Sequence, residues 1–379
     1  MEINKKRFAF IDLYRGWALL FMIETHVFNA FLNQAYKHSQ WFDVLTFFNG
    51  LIAPSFLFIS GFAFTIASSR KVAEFRTYKS EFWRQLWRIG LIFLVGYSLR
   101  LPYLSLQKML HLATPDKLMF FYCVDVLQCI AFGLLLLFIM KLIIKNGKLY
   151  NYILTGLSVL LFMTAPLIWQ IDFTKYMPLP LANYMNPQNG SLFPLFPWLA
   201  FMLSGSVISH YYMEARKTES ENMFIKWLLY SGIILIIISS FVLWSHLPVF
   251  DYISKVNPSQ FFFLVRLGLV ILLLALCRYY ELWRNTESSV VMDVGRESLL
   301  VYWLHLQVIY RRLFNDTTLY KMINENFNVV QCLGATVALC VLMIIAAIAW
   351  GQIKKRYKKF SQIAVVGMIT GLVIFFLFK

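Results

Sequence analysis

Along most of the chain, apolar residues run in blocks of about 20, the length a helix needs to cross a hydrocarbon layer roughly 30 Å thick. Eleven such blocks predict helical spans at 8–33, 43–69, 87–105, 119–141, 150–170, 192–212, 226–247, 259–282, 289–310, 329–351 and 361–378. The stretches between them are short and polar or basic, with no room for a soluble domain. The pattern predicts an all-α polytopic integral membrane protein of about 11 transmembrane helices, with residues 1–379 as one transmembrane domain. The first block departs from this pattern. "FIDLYRGWALLFMIETH" (10–26) carries Asp12, Arg15, Glu24 and His26. Ionisable groups inside a bilayer cost free energy and commonly mark function. At about 100° per residue, Asp12, Arg15, Leu19, Met22 and His26 share a stripe about 90° wide, which Asn29 and Asn33 continue. Arg15 and His26 lie three turns apart, about 16 Å along the axis. Trp17, Phe21, Glu24 and Phe28 fall on the other side. The stripe should therefore face protein rather than lipid. Asp12 and Arg15 stand at i,i+3 and can pair, so an ion pair anchoring the helix near the membrane surface is the plainer alternative for them.

Composition excludes a large soluble core, with 59% of residues hydrophobic and only 14% charged. The net charge of +16 raises the question of nucleic acid. Its distribution argues against that partner. With Lys5, Lys6 and Arg7 placed in the cytoplasm and sides alternating at each span, about two thirds of the basic residues fall on inner segments, the runs 70–88 and 354–359 among them. The surplus reads as orientation and contact with anionic lipid. The same topology puts His26, His38, His111, His246 and His305 towards the outer face and only His210 inside. The N-terminal block reads as a retained helix, since it carries charges and no small-residue cleavage site follows. Cys123, Cys129, Cys277, Cys332 and Cys340 sit in apolar runs without a CxxC pair and read as buried small hydrophobes. No HExxH or Gly-rich phosphate loop is present, and no metal is expected.

Several motifs carry a family resemblance. "IDLYRGWALLFMIETH" (11–26), "PSFLFISGFAF" (54–64) and "VGRESLLVYWLHLQVIY" (294–310) resemble motifs of membrane acyltransferase family three, whose members O-acylate extracytoplasmic glycans. The heparan-α-glucosaminide N-acetyltransferase-like family is equally similar. It opens with a D-x-x-RG helix, has a loop like "KHSQW" (37–41) before "PSFLFISG" (54–61), and later helices like "DVLQCIAFG" (125–133) and "LFPLFPWLAFMLSG" (192–205). Both belong to a transmembrane acyltransferase superfamily. The resemblance implies an acyltransferase, most simply an acetyltransferase, that moves an acyl group from cytoplasmic acetyl-CoA to a hydroxyl or amine of an extracytoplasmic sugar. It implies the inner membrane of a bacterium, with the N terminus cytoplasmic, and leaves a homodimer open. The N-acetyltransferase-like family places its active histidine in the loop, matching His38. Family three uses the one matching His26. This chain has both, and the sequence leaves the choice open.

Residue chemistry fits such a reaction. Histidine, with a pKa near neutrality, suits a general base. His26 and His38 are the catalytic candidates, with Asp12 and His305 beside them. Arginine suits the phosphates of a CoA-type donor, and Arg15, Arg84 and Arg88 are the donor-binding candidates. Arg84 and Arg88 at i,i+4 could form a phosphate clamp, or with Trp83 and Trp87 an ordinary interfacial belt. Trp41, Asn29, Asp125 and Gln128 are candidates for the acceptor. Asp125 and Gln128 could equally make helix-to-helix hydrogen bonds. The prolines of "FPLFPW" (193–198) read as architecture. A secondary transporter or flippase, with the polar stripe lining its path, is the rival from another class.

Overall fold

The computed structural model describes residues 8–245, 257–284, 288–311 and 317–378. Lys5, Lys6, Arg7 and His246 lie outside them. Among the described residues there is no strand, only one isolated bridge between Leu32 and Phe327. A bilayer offers no hydrogen-bond partners, so spanning backbone must pair with itself, and helices do so locally. Seven helices are long and apolar enough to cross a membrane: Gln40–Ser69, which a turn at Gly50 and Leu51 divides, Val126–Ile143, Gly147–Ile168, Glu221–Trp244, Gln260–Arg284, Val329–Arg356 and Lys358–Phe378. The other four predicted spans also coincide with helices, Ala9–Phe31, Ser80–Ser98, Leu195–Lys217, and the pair Val290–Arg296 and Ser298–Tyr310. The last of these was expected as one helix, and it is interrupted at Glu297, whose φ of −102° and ψ of 30° stop the first piece.

The chain packs as two compact units. The first comprises 1–52, 101–114 and 279–379. Its centre is helix α1 (Ala9–Phe31), which buries Phe10, Tyr14, Leu19 and Ile23 completely. Val290–Arg296 crosses it at two glycines. A Cβ on Gly16 would run into the Val291 carbonyl oxygen, and a Cβ on Gly295 into that of Asp12. Only glycine permits backbones this close. The Ala9 amide donates to Glu281 at 3.2 Å, which satisfies one of the open N–H groups of the first turn.

The second unit comprises 53–100 and 115–278. Here Ile52–Ser69 and Leu195–Lys217 cross in the same manner. A Cβ on Gly61 would meet the Met202 carbonyl, and one on Gly205 the Phe58 carbonyl. Hydroxyls then reach across, Thr65 and Ser206 at 2.6 Å and Ser209 to the Phe62 carbonyl at 2.8 Å. Ser158 similarly joins Ser204 at 3.0 Å and the Ala200 carbonyl at 3.1 Å. Between helices in lipid, close packing and hydrogen bonds of about 1 kcal/mol each replace the hydrophobic drive. Gly61 and Gly205 are the glycines of "PSFLFISG" and "PLFPWLAFMLSG", so these two motifs hold one helix crossing together.

Candidate active site

The stripe on α1 faces inward as its periodicity predicts. Asp12, Leu19 and Met22 are buried, Arg15 and His26 half-buried, and Trp17 and Phe21 exposed. Asp12, 4% exposed, accepts from Arg296 Nε at 3.3 Å, and Arg296 also donates to Asp293 at 2.8 Å. Asp12 thus has a partner 284 residues distant, which its local i,i+3 spacing to Arg15 does not announce. The Gly16–Gly295 crossing explains this, because it delivers the next residue, Arg296, to the Asp12 turn. Glu297, nearly buried, takes Lys354 at 2.6 Å. Arg296 was not singled out in the sequence, although it stands in the quoted motif "VGRESLL" beside Glu297. Glu24 lies off the stripe, with both carboxylate oxygens buried near Asn49 and Thr25.

Two histidines meet at the far end of the stripe. The rings of His26 and His305 have centroids 5.3 Å apart. Tyr310 stands edge-on to His26 at 5.9 Å, with its hydroxyl 3.5 Å from His26 Nδ1. Tyr302 stands edge-on to His305 at 5.8 Å, and Tyr320 adds a ring 6.0 Å from Tyr310. His305 is 0% exposed. Its Nδ1 lies 2.7 Å from the Val301 carbonyl. A carbonyl only accepts, so Nδ1 carries the hydrogen and Nε2 of the neutral ring keeps its lone pair. That Nε2 is buried without a hydrogen-bond partner among the described residues. The pair therefore joins one histidine reachable from outside the fold to one fixed in tautomer behind it. Tyr310 was not foreseen, since pairing over 284 residues leaves no local signal.

His38 ends the short helix Gln34–Lys37, its backbone N–H donating to the Tyr36 carbonyl; its side chain is exposed, with no hydrogen-bond or ring partner among the described residues. Trp41 is 40% exposed, edge-on to Phe42 at 5.7 Å. Asn29 departs from the inward stripe and is exposed; its carbonyl accepts from Lys37 Nζ at 2.9 Å. Asn33 caps Gln34–Lys37 through the Ala35 amide at 2.9 Å. The loop is tied to the segment before Val329. Glu325 accepts from Gln34 at 2.7 Å and pairs with Lys37 at 3.2 Å, while Asn33 N reaches the Phe327 carbonyl and Phe327 N the Phe31 carbonyl, each at 2.9 Å. The Gln34 amide, then Lys37, hold the Glu325 carboxyl below its ordinary range. Asn324 and Glu325 both have left-handed backbone, with φ of 49° and 56°. Glu325 carries no sequence motif and was not anticipated.

The remaining candidates lie in the second unit. Asp125 caps Val126–Ile143 in a reciprocal capping box with Gln128 and pairs with Arg100 at 3.1 Å. Gln128 is fully buried and touches the position where a Gly96 Cβ would stand. Both thus have structural work that the "DVLQ" motif encodes. Arg84 and Arg88 are exposed on Ser80–Ser98 together with Trp83 and Trp87, and Arg84 pairs with Glu81. That arrangement has the form of an interfacial belt. Among the described residues, no cluster of three or more His, Cys, Asp or Glu could hold a metal ion.

Residues 7–239 match the family described as heparan-alpha-glucosaminide N-acetyltransferase, catalytic. No curated protein matches the chain. The match takes in the Asp12–Arg15, His26, His38, Gly61, Asp125 and Gly205 motifs, and His305 lies beyond it. Of the two resemblances drawn from the sequence, this supports the one to the N-acetyltransferase family.

Proposed function

The chain belongs to the heparan-alpha-glucosaminide N-acetyltransferase catalytic family and is a membrane acetyltransferase; from that premise we propose the reaction and the roles of its residues. Acetyl-CoA is the donor, reaching the protein from the cytoplasm of a bacterium, and the acceptor is an amine or hydroxyl of a sugar or glycan on the outer side. The observation that carries the reading is the contact between His26, inside the family match, and His305, beyond it.

His26 takes a proton from the acceptor N–H or O–H as its nitrogen or oxygen attacks the thioester carbonyl carbon. The tetrahedral intermediate collapses, the C–S bond breaks, and the leaving CoA thiolate takes the acceptor's proton from the imidazolium. His26 suits the base because a helix holds it while one side stays reachable. His305, fully buried, is a positioning residue that aligns the His26 ring. His38 and Trp41, exposed on the following loop, receive the acceptor. Arg15, half-buried three turns below His26, is the donor-binding candidate this unit offers.

The test is acetyl-CoA turnover by the purified protein and its single alanine variants, with melting checked. His26→Ala should lose about 10²- to 10⁴-fold in kcat. His38→Ala should mainly raise the acceptor KM. If His38→Ala loses kcat while His26→Ala keeps it, the base is His38. If both keep wild-type kcat, histidine base catalysis fails.

A further inference from the structure

Most half-buried arginines of the second unit have an oxygen partner. Arg100 pairs with Asp125 at 3.1 Å and Arg278 with Glu221 at 2.8 Å. Arg76 donates to the carbonyls of Lys141 and Ile144, both at 2.8 Å. Arg266 differs from them in having no oxygen partner among the described residues. It stands six residues into Gln260–Arg284, about 9 Å along the helix. Its guanidinium carbon lies 4.1 Å from the Phe262 ring centroid and 5.8 Å from that of Trp198. Among the described residues its buried Nε has no hydrogen-bond partner, as is also true of the Nε of Arg76, Arg100 and Arg278, and the indole Nε1 of Trp198 beside it has none either. Phe193 stands edge-on to Trp198 at 4.9 Å.

Aromatic faces attract a cation but accept no N–H. A charge placed within a span is normally paired, and a shielded donor without an acceptor is costly. Two unsatisfied donors, one of them cationic, beside a group of rings lack one thing, an acceptor that carries negative charge. Guanidinium and indole N–H together suit an oxygen anion, and the rings suit a flat or apolar body attached to it.

We propose that Arg266 and Trp198 form a binding subsite for an oxyanion, the carboxylate of an acidic sugar or the phosphate of a lipid headgroup. The inference goes beyond the acetyl-transfer reading and does not depend on it, because its test needs no turnover.

The full-length protein in neutral detergent would be melted with glucuronate or phosphatidylglycerol, and with glucose or phosphatidylcholine as uncharged or zwitterionic controls. Wild type should be stabilised by at least one acidic probe more than by its control. Arg266→Gln should abolish that difference. Trp198→Phe keeps the ring and loses the donor, and should weaken the apparent affinity on the order of tenfold. It decides the matter if Arg266→Gln does not fold. A response to glucuronate alone assigns the subsite to an acidic sugar, and one to phosphatidylglycerol alone to lipid. The proposal is overturned if wild type responds to neither acidic probe, or if the folded variants respond as wild type does.

Discussion

At the level of single residues, sequence periodicity located charged groups well and their partners poorly. The inward stripe of α1 was legible because helical spacing is local. The Asp12–Arg296 pair was not, because nothing local links positions 284 apart. The pair leads to a prediction. Removing one member of a buried ion pair strands the other, at a cost of about 3–5 kcal/mol. Asp12→Asn and Arg296→Met should each lower the melting temperature in detergent clearly. The double variant should be less destabilised than the sum of the two, and strict additivity would show that the pair is not coupled. Arg15→Lys tests a different property. Lysine keeps the charge and loses the planar fork. It should impair acetyl transfer strongly while leaving the melting temperature near wild type, and full activity would reduce Arg15 to a membrane anchor.

At the level of helices, the motifs turn out to encode contacts as well as chemistry. The glycines at 16 and 295, and at 61 and 205, each allow one backbone to touch another. Gly16→Ala or Gly61→Ala should therefore force two helices apart and lose folded protein in purification. Gly90 is the control, since a Cβ there meets nothing within 4 Å. Gly90→Ala should be neutral or stabilising by roughly 0.5–1 kcal/mol from helix propensity. Equal loss at both kinds of site would refute the crossing argument. The break at Glu297 escaped sequence reading because the apolar pattern runs on through it. The tie at Glu325 escaped because loops carry no period. Its carboxyl is held below the ordinary carboxylate range in the fold by Gln34 first and then Lys37. Its contribution is thus present above the unfolded pKa and is lost as pH falls through the lowered folded value. The protection of residues 33–39 against hydrogen exchange, relative to the intrinsic rate at each pH, should be high at neutral pH and fall only under clearly acidic conditions. Glu325→Gln should be poorly protected at both, and a wild-type protection that does not change with pH would remove the tie from the account.

At the level of the whole molecule, the disagreement between eleven expected spans and seven helices that qualify by length and apolarity has a physical source. Each of the four that fail carries several polar groups or a break in its apolar run. Ala9–Phe31 contains Asp12, Arg15 and Glu24, Ser80–Ser98 contains Glu81, Arg84 and Arg88, Leu195–Lys217 contains the serines of its crossings, and the fourth is broken at Glu297. Composition treats each helix as though lipid surrounded it. In Ala9–Phe31, however, Asp12 is buried against Arg296 and the lipid side would be Trp17 and Phe21. At 23 residues that helix is about 34 Å long, enough for a layer of roughly 30 Å. The two counts make opposite predictions at two places. If Ala9–Phe31 and Ser80–Ser98 both cross, with the N terminus inside, a reporter fused after Trp41 reads extracytoplasmic and one after Lys79 cytoplasmic. If only the seven qualifying helices cross, with the same start, the two readings exchange. The basic run 70–88 favours the first outcome, since positive charge is retained on the cytoplasmic side. An extracytoplasmic signal after Lys79 would put Arg84 and Arg88 out of reach of a cytoplasmic donor. A cytoplasmic signal after Trp41 would do more, because it would move His38 and its loop to the donor side and remove the outer acceptor from the proposed reaction.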